Sequence, residues 1–129
     1  MQRIFLILGS AAAGIAVVLG AFGAHALKEK IPADQLQIFE TGVRYQFYHA
    51  FALLILGLLF EKLNPSLANY SGCLFLAGII FFCGSLYLLS LRTVLGIESW
   101  KFLGPITPLG GLCFIAGWFL LAFSLIKNK

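Results

Sequence analysis

The chain has 129 residues, of which 60% are hydrophobic and only 11% charged, and its formal net charge is +4. A soluble domain carries roughly 25% charged residues, so this composition excludes a water-soluble globule and requires a surface that faces lipid over much of its area. The mean hydropathy of +0.97 says the same. Length gives one domain over 1–129. The basic residues are spread singly at Arg3, Lys28, Lys30, Arg44, Lys62, Arg92, Lys101, Lys127 and Lys129. None forms a run dense enough for a nucleic-acid patch, so no nucleic-acid partner is expected.

Ile4 to Leu27 has no charged side chain over 24 residues. At ~1.5 Å per residue this is ~36 Å of helix, enough to span a membrane with some tilt. Arg3 and the Ala24-His25-Ala26 tripeptide resemble a signal peptide, but the apolar run exceeds the ~7–15 residues of a signal core. Small residues recur at Ala12, Ala16, Gly20 and Ala24, with Gly9, Ala13 and Gly23 near the same stripe. In lipid, helices pair through close backbone approach rather than water exclusion, so this stripe is expected against protein. Gly110, Gly111 and Gly117 are expected to pack in the same way.

Lys28 to Gly42 forms the first polar connection. Pro32 suits a first helical turn, Asp34 suits its positive end, and Leu36, Phe39 and Val43 follow at helical spacing. This predicts a short amphipathic helix over 33–40 at the membrane surface, with Gly42 allowing a bend into the next span. Further spans are expected at 43–62, 70–91 and 106–126, with Asn64-Pro65-Ser66 as a turn and Trp100 as an interfacial anchor. Thr107 before Pro108 reads as a cap and first helical residue. Lys127, Asn128 and Lys129 are expected to end the chain in water. The predicted fold is an all-α, up-down-up-down four-helix bundle. The basic residues in the loops leave orientation nearly balanced, and placing both termini in the cytoplasm follows only if Arg44 and Arg92 are engaged at the membrane edge.

Cys73, Cys83 and Cys113 all lie in apolar runs. Their odd number excludes a complete intrachain disulfide framework, and small buried contact residues are expected.

The most polar stretch within this apolar chain is Thr41-Gly42-Val43-Arg44-Tyr45-Gln46-Phe47-Tyr48-His49-Ala50. At 100° per residue, Gly42, Tyr45, Gln46, Leu53 and Leu56 fall on the His49 side, whereas Glu40, Arg44, Phe47 and Phe51 fall opposite. The expected topology puts His25, Glu40, Arg44, Tyr45, Gln46, His49, Arg92, Glu98 and Thr107 at one level, as a candidate polar site. In that layer His25 approaches residues 45–49, and Arg44 meets Glu40 or Glu98. Three readings of such a layer stand open: a metal or haem site on His25 and His49, proton transfer through His25, His49, Tyr45 and Glu40, or a hydrogen-bonded layer that fixes helix register. Two histidines are a thin ligand set, and neither a metal nor a cofactor is expected. No catalytic signature is present, so no enzymatic activity is expected.

The segments Gly20-Ala21-Phe22-Gly23-Ala24-His25-Ala26-Leu27, Thr41 to Ala50, Thr107-Pro108-Leu109-Gly110-Gly111 and Gly117-Trp118 resemble the small bacterial membrane proteins of domain-of-unknown-function family 423. Eukaryotic transmembrane protein 256 is similar to the same family. The resemblance covers essentially the whole chain and implies a four-helix inner-membrane protein, with His25, Arg44, Tyr45, Gln46 and His49 at family-typical positions. It implies no activity. Two functional classes follow. One is a structural or accessory protein in contact with lipid, with copies of itself or with a larger membrane complex. The other is a small transporter or oligomeric channel that uses His25, Arg44 and His49.

Overall fold

The computed structural model describes residues 1–127, and every regular element among them is helical. Four helices are long and apolar enough to cross a membrane: α1 (Gln2–Leu27), α2 (Ala33–Lys62), α3 (Pro65–Ser90) and α4 (Leu103–Ile126). A single helical turn, Arg92–Leu95, lies in the connection between α3 and α4. It ends on Gly96 at φ 68°, a left-handed conformation that suits a residue without a Cβ. The expectation for Asn128 and Lys129 lies outside the described residues.

Three boundaries differ from the sequence reading. The expected surface helix over 33–40 is not a separate element: its residues are the first turns of α2, which runs α-helical from Ala33 to Leu59 and closes as a 3₁₀ turn over Phe60–Lys62. Gly42 does not bend this helix. A Cβ there would lie 2.7 Å from the Tyr87 ring, so the glycine admits a close neighbour. The helix α3 begins at Pro65, not at 70, because Asn64 caps it: its Oδ1 accepts from the backbone N–H of Leu67 at 3.2 Å, and Pro65 occupies the first helical position. The helix α4 begins at Leu103, so Thr107 is not its cap and Pro108 sits inside it. Pro108 has no N–H to give the carbonyl of Gly104, so one rung of the α4 ladder is absent there.

Contacts pair the helices two by two, with residue numbers rising along one partner as they fall along the other. Between α1 and α2, Gln2 donates to the carbonyl of Gly57, Gly9 faces Ala50, and Gly23 faces Phe39. Between α3 and α4, Asn64 and Ser124 exchange hydrogen bonds, Ser71 Oγ donates to the carbonyl of Gly117 at 2.7 Å, and Gly110 lies against the backbone N of Phe82. The helix α2 is central and touches α1, α3 and, through His49, α4. Its inner side contributes Ala52, Leu53 and Leu56 to a core with Phe5, Phe75 and Phe114, while Phe39 and Val43 join Ala16, Leu27 and Ile31 in a second cluster.

The small residues do close the α1–α2 seam, on a line other than the expected one. Gly9, Ala16 and Gly23 are buried, a Cβ on Gly20 would be 3.5 Å from Val43, and Ala24 is exposed. Positions four apart advance 400°, so the line drifts ~40° per step and leaves the seam by Ala24, whereas mixed steps of three and four stay on it. On α4, Gly110 and Gly117 are buried and Gly111 is partly so. Of the cysteines, Cys83 is buried, Cys113 is intermediate and Cys73 is exposed, which corrects the expectation that all three are buried.

The outer surface carries large apolar side chains: Val18 is 67% exposed, Leu58 73% and Phe119 66%. Such a surface is stable only in hydrocarbon.

Candidate functional site

The polar groups do not form one layer. They run along α2 as a ladder of separate pairs. Nearest the connection end, Thr93 Oγ1 donates to the buried Gln35 Oε1 at 3.1 Å. Further along, Gln46 Nε2 donates to the carbonyl of Ala12 at 2.8 Å, and its Oε1 accepts from the Tyr87 hydroxyl at 2.6 Å. One amide thereby ties α2 to both α1 and α3. Beside this ladder, Ser85 and Thr107 share a hydrogen bond at 2.6 Å between α3 and α4.

His49 is buried and is held at both ring nitrogens. The indole N–H of Trp118 can only donate, and it does so to His49 Nε2 at 3.0 Å. The proton therefore sits on Nδ1, which donates to the carbonyl of Tyr45 at 2.8 Å. The ring stacks on Phe114 with centroids 3.5 Å apart and is flanked by Phe75 at 5.6 Å. A neutral imidazole with both nitrogens occupied and aromatic walls joins α2 to α4, and it has no lone pair to give a metal.

His25 takes no part in this arrangement. It is exposed in the last turn of α1, Gly23–Leu27, which is π-helical. His49 lies level with Gly9, which contacts the carbonyl of the adjacent Ala50. Sixteen residues separate Gly9 from His25, or about 24 Å of helix. The expected approach of His25 to residues 45–49 is therefore corrected: α2 starts at 33, so His49 is in mid-helix and not near its end. The bis-histidine metal or haem arrangement fails for the same reason. Among the described residues, no three His, Cys, Asp or Glu side chains gather to hold a metal ion.

Arg44 is likewise not where the sequence placed it. It is exposed and makes no hydrogen bond or ion pair among the described residues, and Glu40 and Glu98 are exposed too, so the expected pairing is corrected. On α2, Gly42, Gln46, His49, Leu53 and Leu56 are buried and Glu40, Arg44 and Phe51 exposed, as expected, whereas Phe47, expected on the outer side, is half-buried against the second cluster. Tyr45, at the edge of the inner face, is 37% exposed and packs on Phe82 at 4.8 Å. Arg44 lies about level with Tyr87, since its neighbours Gly42 and Gln46 both meet that residue. Arg92 is half-buried just beyond the end of α3, with one guanidinium nitrogen donating to the carbonyl of Leu89 at 2.8 Å. Lys101 and Trp100 are exposed on the same connection.

Sequence reasoning finds Gln46 and His49 but misses their partners, Tyr87 and Trp118. Both lie in apolar runs, and the available signal is that each has a polar atom that lipid cannot satisfy.

The profile of the DUF423 family, described as proteins of unknown function, matches residues 19–111. The chain belongs to this family. It is 44% identical over 127 residues, 98% of both chains, to the UPF0382 membrane protein YwdK of Bacillus subtilis. It is 45% identical over 98% of both chains to the UPF0382 membrane protein SAB0533 of Staphylococcus aureus, and 40% identical over the same shares to a UPF0382 membrane protein of Staphylococcus haemolyticus. No solved structure matches. The DUF423 relatives are named only as membrane proteins; with the four apolar helices, this makes the chain a membrane protein of a family without an assigned activity.

Proposed function

We propose that this is a non-enzymatic protein of the inner (plasma) membrane whose basic end, at the longer connections, holds an anionic lipid headgroup. The observation that carries this reading is Arg44. It is exposed, and it lies about level with Tyr87, five residues short of Arg92 on α3. That places its side chain within the apolar surface, where a guanidinium needs an anionic partner or must reach up to the interface. Arg92, Lys101 and Trp100 at the same end supply two more cations and an aromatic side chain suited to headgroup level. His49 and Gln46 act as ties between helices, not as part of the contact.

In this reading the helices cross up-down-up-down, and the first turns of α2 stand at headgroup level. With Arg44 and Arg92 engaged by phosphate, Arg3, Lys62, Lys127 and Lys129 outnumber Lys28, Lys30 and Lys101 by one, which supports termini in the cytoplasm.

The test is the double substitution Arg44→Gln, Arg92→Gln with measurement of co-purified anionic lipid. A clear fall supports the reading. Unchanged lipid together with loss of a proton or small-solute flux would replace it with a transporter.

A further inference from the structure

Two grooves run along the flanks of α3, and they share a wall made of Ile80, Gly84 and Tyr87. One, of about 440 Å³, lies between α3 and α1 from Leu8 to Leu19. That stretch of α1 is ~17 Å long. The other, of about 400 Å³, lies between α3 and the first turns of α4, against Phe102 and Ile106. The lining is apolar apart from the Gln46 amide, the Ser85 hydroxyl and the Tyr87 phenol, each already hydrogen-bonded.

Gly84 is unlike most span glycines of this chain. Gly9, Gly42, Gly78, Gly110 and others meet a neighbouring helix, but no atom lies within 4 Å of the position a Cβ would take on Gly84. A glycine inside a helix lowers helix propensity, and here no close contact within the protein offsets the loss. Its effect is to lower the ridge between the grooves. Above that ridge α3 ends at Ser90, and Arg92 follows with most of its guanidinium N–H groups uncommitted. Lys101 stands beside the Phe102 end of the second groove.

We propose that one anionic diacyl phospholipid straddles α3, with an acyl chain in each groove and its phosphate at Arg92. Two apolar grooves that overlap in depth along α3 and share one wall beneath a basic group match two chains that leave one headgroup. The charge at the top complements a phosphate and selects an anionic lipid. This inference rests on the headgroup reading above and adds where the chains lie.

The experiment compares wild type with Gly84→Leu and Ala11→Leu, purified from the same membranes and weighed intact by native mass spectrometry, then delipidated and offered phosphatidylglycerol or phosphatidylcholine vesicles. Ala11 is exposed and lines only the groove against α1. The Gly84→Leu side chain starts in open space, so helicity and melting should match wild type. Wild type should retain one phosphatidylglycerol per chain in preference to phosphatidylcholine. Each variant should retain about threefold less or lower still, because chain seating within hydrocarbon rests on packing rather than water exclusion. If Gly84→Leu loses helicity, Ala11→Leu decides alone. Unchanged retention in a folded variant overturns the groove assignment, and the headgroup reading survives if Arg92→Gln still lowers retention. A wild type that holds no anionic lipid overturns both. Loss of a cross-linked dimer in Gly84→Leu with lipid unchanged assigns the grooves to a second copy and overturns the proposal.

Discussion

Arg44 and His49 sit five residues apart on one helix and have opposite surroundings. Every polar atom of His49 is engaged, by Trp118 on one side and the Tyr45 carbonyl on the other, and the ring is walled by Phe114. Arg44 is exposed and unpaired among the described residues. The difference is set by phase. Five residues advance ~500°, so the two side chains point ~140° apart, one into the bundle and one out to lipid. Polarity within an apolar helix thus has two separate uses here. On the inner face it specifies which helices meet and in what register. On the outer face Arg44 has no partner among the described residues, and in the proposed reading a lipid headgroup offsets its cost. A single polar motif in the sequence holds both uses.

The sharpest break in this comparison comes from the packing that holds the inner face closed. Gly110→Leu would drive a side chain into the backbone of Phe82, which cannot yield as a flexible side chain can. A loss of about 3 kcal/mol is expected. Denaturant titration of the purified protein checks it, and a variant as stable as wild type would mean that α3 and α4 do not meet there.

Next are the inner ties. Gln46→Leu removes the acceptor of the Tyr87 hydroxyl and the donor to the Ala12 carbonyl at once, and should cost about 1–2 kcal/mol. Trp118→Phe removes one hydrogen bond, that to His49, worth about 0.6 kcal/mol as an average interhelical bond in a bilayer, and the smaller ring keeps part of the edge contact with Phe75. The same titration ranks them, and equal losses would contradict the two-sided role of Gln46.

Arg44→Gln is expected to leave stability within about 0.5 kcal/mol while lowering co-purified anionic lipid. The reverse result, lost stability with unchanged lipid, would move Arg44 to the inner class. The smallest effect is expected at Gly14, which is exposed and has no atom within 4 Å of the place a Cβ would occupy. Gly14→Ala should be neutral or stabilising by less than about 1 kcal/mol, since alanine is the better helix former. Measurable loss, read with oligomer state by light scattering, would reveal a second copy on that face.

The spans are legible in the sequence because lipid imposes length: uncharged runs such as Ile4 to Leu27 have one simple reading. The inner and outer faces of α2 are legible for a similar reason, since period 3.6 alone separates Gln46 and His49 from Arg44. Depth is not. The sequence suggests a surface segment ending at 40 and a span beginning at 43, because Gly42 resembles a break and the residues before it are polar. Gly42 instead admits Tyr87, and the helix continues through it. That one misplaced boundary puts His49 beside His25 and Arg44 beside Glu98. Thr107 misleads for the opposite reason: a threonine before a proline looks like a helix start, but the helix begins at Leu103 and runs through Pro108 at the loss of one ladder bond. The partners Tyr87 and Trp118 depend on contacts between distant parts of the chain, which local periodicity does not report.

The turn Ile79–Cys83 of α3 is π-helical, and it precedes Gly84, Ser85 and Tyr87. A π turn behaves as one extra residue spliced into an α-helix, and the residues after it are rotated by about a quarter-circle from where they would otherwise point. The upper part of α3 is thus set out of phase with the lower part, which faces α4 through Ser71. This offset lets one helix address α4 with Ser85 and α2 with Tyr87 from neighbouring turns. Wound as a regular α-helix without the π turn, the same sequence would gain a complete backbone ladder, yet Tyr87 would turn away from Gln46 and Ser85 away from Thr107. The most regular form of this helix would be the one that fits its neighbours least.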